Sequence, residues 1–294
     1  KLTFEDLNAM GVSPASVRIF GYGGALLPQS FLAPKIDDLP ELAIHMEKGA
    51  DGVFNAGDYI LFYAQGPVSW SYDSNRGLFV HQPHFYSNFG HYFVTSDAGV
   101  GRTIQAMTDT PADEMIINDV TTFTDFAVYE KDLQSLSNSG KEFYGETFSD
   151  MLNLNINFTF PNTVKEPNAV KARLDVAASS VEISDFRLTL AGGQEKRLQV
   201  SMRSRNDNYE KGRDANGTFF FEPAADQFDF RLTYTKTVTT GKGFLNYLAL
   251  NVKRQLIYTQ GWMRFQNVDY LGSDSYNRYK ISNAGSNVQI WDIT

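Results

Sequence analysis

The sequence predicts a mostly β protein, with a small β-rich N-terminal domain over residues 1–110 followed by an antiparallel, jelly-roll-like β-sandwich over residues 111–294. Three observations carry this. Short segments of alternating apolar and polar residues recur with no helical period between them, the pattern of strands that are wet on one face. Aromatic residues reach 14%, with Phe 23 and Tyr 15, and such side chains suit a pleated, half-buried surface. Turn signals such as Gly192-Gly193, Asn216-Gly217 and Gly241-Lys242-Gly243 bound the segments, as expected of a sandwich. No repeat of fixed period is visible, which argues against a propeller or solenoid.

Along the chain, Thr3-Phe4-Glu5-Asp6 has the form of a capping box and predicts a short helix over residues 4–9 that stops at Gly11. Val17 to Phe20 reads as a strand entering the Gly21-Tyr22-Gly23-Gly24 turn, and Leu42, Ile44 and Met46 alternate with polar neighbours. Strands follow at residues 59–64, 77–80, 91–95 and 103–107. The polar stretch Thr108 to Glu114 breaks the apolar pattern and is the candidate linker. Beyond it, residues 130–136 read as a short helix stopping near Ser139-Gly140. Then comes the clearest strand: Leu152, Leu154, Ile156, Phe158 and Phe160 face one way, with three Asn and a Thr between them. Residues 170–176, 198–202, 228–234 and 248–252 repeat that pattern.

Composition narrows the function classes. A net charge of -8 without a Lys/Arg stripe gives no electrostatic footprint for nucleic acid. No apolar run reaches the roughly 18 residues of a membrane helix. The chain contains no cysteine, so neither a disulfide framework nor a thiolate nucleophile can come from these residues.

Candidate sites each have a plain structural reading beside the chemical one. Asp51, Asn55 and Asp58, spaced by Gly52 and Gly57, offer oxygen ligands to calcium, yet Asx side chains folding a turn onto its own backbone use the same residues. His81, His84 and His91 fall close together, but Pro83 interrupts the ladder that would bring them into a zinc site, and packed histidines are the alternative. The glycines from Gly21 to Gly24 follow a strand, but a third fingerprint glycine is replaced by Leu26 and no helix follows, so a tight turn is expected there. Trp70, Tyr72, Trp262 and Tyr270 lie in turn-like segments and would serve a sugar-binding face if exposed, or the core if not. No catalytic residue, cofactor site or metal site is therefore assigned, with calcium at Asp51, Asn55 and Asp58 as the one weak candidate.

Several strings, in order along nearly the whole chain, then carry a resemblance: IFGYGGALLP at 19–28, DGVFNAGDYILFYAQGP at 51–67, HQPHFYSNFGHYFVT at 81–95, SGKEFYGETF at 139–148 and IWDIT at 290–294. Together they are similar to the amino-terminal region of PorU-type proteins, the gingipain-like cysteine peptidases that act as sortases of the type IX secretion system in Bacteroidetes. The resemblance implies a non-catalytic accessory region, with a caspase-like catalytic domain carrying a His and Cys dyad expected beyond residue 294. It implies a surface protein at the outer membrane that removes C-terminal sorting signals from secreted cargo and attaches the cargo to a glycolipid. Its expected partners are that catalytic domain, an outer-membrane secretion component and cargo sorting domains. None of the matched strings contains a catalytic residue. The competing class is a stand-alone carbohydrate-binding or adhesive sandwich.

Overall fold

The computed structural model describes residues 1–24, 26–107, 116–137, 140, 142–207, 209–273 and 275–293. The chain divides into two compact units: Lys1–Tyr72, Val80–Thr110 and Ile290–Thr294 form the first, and Asp73–Phe79 with Pro111–Gln289 the second. The linker expected at residues 108–114 lies outside the described residues.

The first unit opens with β1 (Leu2–Thr3) and α1 (Phe4–Ala9). The capping box is formed as expected: Asp6 N donates to Thr3 Oγ1 at 3.1 Å, and Thr3 N donates to Asp6 Oδ2 at 2.9 Å. The helix ends before Gly11, at φ 69°, and buries Leu7. The strands that follow are β2 (Arg18–Gly23), β3 (Glu41–Leu42), β4 (Ile44–Glu47), β5 (Tyr59–Phe62), β6 (Val68–Asp73), β7 (Leu78–Pro83) and β8 (His91–Thr95), of which Asp73 in β6 and Leu78 and Phe79 in β7 count with the second unit. They form two three-stranded sheets, β1-β5-β4 and β3-β2-β8, and the β6-β7 pair. The core of this unit is small: Leu7, Val17, Ile19, Ile44 and Ile60.

The second unit contains β9 (Ile117–Val120), β10 (Thr122–Glu130), β11 (Thr147–Phe148), β12 (Asn153–Thr159), β13 (Val170–Ser179), β14 (Ser184–Leu190), β15 (Gln194–Val200), β16 (Arg213–Phe221), β17 (Gln227–Thr235), β18 (Lys242–Gln255) and β19 (Tyr276–Tyr279). Two antiparallel sheets dominate, in the orders β10-β18-β13-β16 and β12-β17-β14-β15. That pair of orders is the jelly-roll arrangement. The alternation seen in the sequence explains it: Ile156, Phe186, Leu188, Phe228, Phe230 and Leu232 of one sheet, and Val170, Leu174, Val176, Leu248 and Leu250 of the other, point into one shared core.

Four expectations are corrected. Asn216-Gly217 is no turn but lies inside β16, where Asn216 pairs with Asp175 and Gly217 with Leu174, and Gly21 to Gly23 continue β2 as strand, so that only Gly24 turns. Residues 130–136 are not helical: Glu130 ends β10, paired with Tyr247 of β18, and Gln134 bridges Tyr144. The strand partners take the main-chain hydrogen bonds a helix turn would need, and residues 138, 139 and 141 around the expected stop lie outside the described residues. Residues 103–107 form no strand. Thr103 makes one parallel bridge to Ile44, and Ile104 N donates to Ile44 O.

Candidate functional site

Three of the strings that carry the resemblance meet at one point in the first unit. Gly24, directly after β2, lies so close to Gly66-Pro67 that an added Cβ would stand 2.3 Å from Pro67 Cα. Gly21 faces the Tyr92 ring, where a Cβ would stand 2.5 Å away. Gly90 packs on the backbone of Gly23 and Gly24. Tyr92 Oη donates to Gln65 O at 2.9 Å, and Gly24 N donates to the same oxygen at 3.3 Å. Glycine is required at 24 because backbone occupies the space of a side chain. Burial pushes the Tyr92 hydroxyl above its ordinary pKa, so it remains a donor. The junction offers hydrogen bonds and close packing and no nucleophile. It is a structural knot that fixes the loop ends around it.

The residues expected at sites fall as follows. Asp51 Oδ1 accepts from Val53 N at 3.0 Å, Asp51 Oδ2 from Asn55 Nδ2 at 3.0 Å, and Asp58 Oδ2 from Asn55 N at 2.8 Å. The three side chains thus come together by folding their loop, and the Val53 and Asn55 donors hold the Asp51 carboxyl below its ordinary pKa. His84 Nδ1 accepts from Tyr86 N and Ser87 N, capping a turn, and the His81 ring packs on Trp70 at 5.3 Å. His91 lies on β8 opposite Gly23. Among the described residues no group of three or more His, Cys, Asp or Glu converges as metal ligands would. Trp70 and Tyr72 are half-buried in β6, whereas Trp262 is 73% exposed and Tyr270 lies at the surface.

Sequence reading missed a polar cluster on β13 in the second unit. Arg173 donates to Tyr247 Oη, Thr218 Oγ1 and Asn216 Oδ1, and Asn246 Nδ2 donates to Asp175 Oδ1 at 3.2 Å. Burial, together with Glu142 and Asp214, outweighs the Asn246 bond and Arg173 and raises the Asp175 carboxyl from 3.8 to about 6. A register shift between Asp175 and Val176 in the pairing with β18 marks the spot. A bulge re-aims a side chain, and alternation alone does not foretell one. The cluster offers one carboxyl that exchanges its proton close to neutrality.

No family model matches the chain, and no curated protein matches it. Among solved structures, the chain is similar to dimeric latent PorU from Porphyromonas gingivalis, at a TM-score of 0.78 and 22% identity, over 97% of this chain and 26% of that one. The chain thus has the fold of a PorU-type region and spans about a quarter of that protein's length. Slighter likenesses are the CBM36-1 domain of a multidomain xylanase from the hindgut metagenome of Trinervitermes trinervoides (TM-score 0.31, 10% identity, 47% of this chain, 100% of that chain) and a carbohydrate-binding module CBM36 in complex with calcium and xylotriose (0.29, 11%, 45% and 99%). At those scores neither carries an inference about ligands.

Proposed function

We propose that this chain is the non-catalytic N-terminal accessory region of a gingipain-like cysteine endopeptidase of the PorU type, a surface sortase that removes C-terminal sorting signals from secreted cargo. The observation that supports the reading best is the shared fold over 97% of the chain, taken with the absence of any cysteine. The chemistry such a peptidase needs is attack by a thiolate with a histidine as proton acceptor, and both groups would come from outside these residues. The role left to this region is to support the catalytic domain, shape access to its cleft, or dock an outer-membrane partner.

The geometry fits a support. Its motifs are built to hold backbone segments in contact, as at Gly24 and Pro67. The carbohydrate-binding alternative is favoured by one feature, the exposed Trp262. The reading frame discriminates between them. The peptidase reading expects it to continue past Thr294 into a segment containing a Cys and a preceding His. A frame that stops there, or a glycan array on which Trp262→Ala abolishes binding, would overturn it.

A further inference from the structure

The sheet that contains β13 sends Val170, Leu174 and Val176 into the core, so Lys171, Arg173 and Asp175 stand on its opposite face. The ladder sets their neighbours. Phe220 lies opposite Lys171, Thr218 opposite Arg173 and Asn216 opposite Asp175 on β16, with Tyr247 of β18 on the other side of Asp175. Residues paired in this way point to the same face. The face therefore carries a row of polar side chains that ends, along β16, in the Phe220 ring, 45% exposed.

Arg173 and Asp175 are only about 6.6 Å apart along the strand, yet no ion pair joins them among the described residues. The bulge is the reason. Asp175 pairs with Tyr247 and Val176 with Leu245, so Asn246 is the extra residue. Its Nδ2 donates to Asp175 Oδ1 at 3.2 Å, while Arg173 donates to Tyr247 Oη at 3.2 Å, Thr218 Oγ1 at 3.3 Å and Asn216 Oδ1 at 3.0 Å. A half-buried guanidinium and a half-buried carboxyl are thus held apart, each bonded to neutral groups. Three bonds leave part of the five-donor guanidinium fork unused.

We infer that this face of the second unit is a binding site for a neutral oligosaccharide laid along β16, with one sugar ring against Phe220 and the hydroxyls of another between Arg173 and Asp175. Charge disfavours other occupants. An anion drawn to Arg173 would face Asp175, with Asp214 and Glu142 close enough to act on that carboxyl, and the chain carries a net charge of -8. A cation drawn to Asp175 would face Arg173 and Lys171. A vicinal diol suits both groups, since its oxygens accept from Arg173 and its hydrogens go to the Asp175 carboxyl. Phe220 supplies the apolar surface that the C–H side of a sugar ring needs. Asn216 and Phe220 are four residues apart, about 13 Å along the strand, so the site takes at least two rings.

A glycan array probed with the 294-residue chain tests this, followed by isothermal titration with the strongest neutral oligosaccharide on it. The expected result is binding to neutral chains of two or more sugars in preference to sialylated ones. Arg173→Gln and Phe220→Ala should each weaken it at least ~10-fold, and Trp262→Ala should leave it unchanged. Phe220→Ala removes an exposed ring and leaves the core intact, so it keeps the test valid if Arg173→Gln misfolds. An array without a neutral ligand, binding to acidic glycans alone, or binding that either folded variant leaves unchanged overturns the proposal and leaves the peptidase reading standing. Binding that Trp262→Ala abolishes overturns both.

Discussion

The two units solve the same problem with different means. The second buries twenty-two residues in one cluster between a five-stranded sheet, which β11 joins beside β18, and a four-stranded one, with strands of up to fourteen residues. The first has five buried residues in its cluster and strands of two to six residues. With so little core, it relies on turns whose geometry is fixed by particular residues: the Thr3 cap, the Asp51–Asp58 loop and the glycine junction. A sandwich tolerates many sequences that keep alternation and volume. A turn that admits only glycine does not. This is why most of the strings that carry the resemblance fall in the first unit, although the second has the larger core.

Four substitutions test that contrast. The largest effect is expected in the sandwich: Phe230→Ala empties space facing Phe221, whose ring centroid is 5.2 Å away, and should cost about 3 to 5 kcal/mol in denaturant unfolding. A cost below about 1 kcal/mol would mean the sandwich core is not the main support of its unit.

Next, Gly24→Ala should cost about 2 to 3 kcal/mol, since its Cβ meets Pro67 backbone rather than a movable side chain. Amide exchange should quicken in β2, β5 and β8, while a control change at Gly52, where an added Cβ meets nothing within 4 Å but φ is 70°, should cost about 1 kcal/mol. Equal effects at the two glycines would mean close packing is not what selects Gly24.

Asp175→Asn tests the polar cluster. The folded protein holds a proton on Asp175 that the unfolded chain releases between 3.8 and about 6. Its contribution is therefore most favourable below pH 3.8, declines as pH rises through about 6, and is a constant penalty above. The variant should be more stable by about 1 to 2 kcal/mol at pH 7, and its stability should vary less than the wild type's between pH 4 and 6. Loss of stability at pH 7 would show that the carboxylate is paired rather than penalised.

The smallest effect is at the helix cap, where Thr3→Ala should cost about 1 kcal/mol, read as a shift in the urea midpoint with unchanged slope.

Much of the sandwich was legible because alternation is a direct imprint of a one-sided sheet: the pattern at Leu152 to Phe160 became β12, and residues 170–176 lie within β13. β10 escaped because both its faces are partly covered, so polar and apolar residues do not alternate cleanly, and β16 because the turn-forming pair Asn216-Gly217 sits inside it. The supposed helix at 130–136 shows the same limit, since a few spaced leucines cannot tell a helix turn from an irregular segment held by bridges such as Gln134 to Tyr144. For the candidate site, Asp51, Asn55 and Asp58 could be picked out as a group because loop Asx residues cluster in sequence. The meeting of Gly24, Gly90 and Pro67 could not, since those contacts span tens of residues. Asp175 was hidden too, because its pKa is set by neighbours contributed by other segments.

On the proposed reading, this region supports a peptidase whose chemistry would come from residues outside it. The most direct test of that reading replaces Gly24 with Val in the longer protein it expects and follows removal of cargo sorting signals, with the expected Cys and His untouched. The account predicts slower signal removal in step with loosened first-unit amide protection. Undiminished removal by a full-length protein lacking residues 1–294 altogether would contradict it.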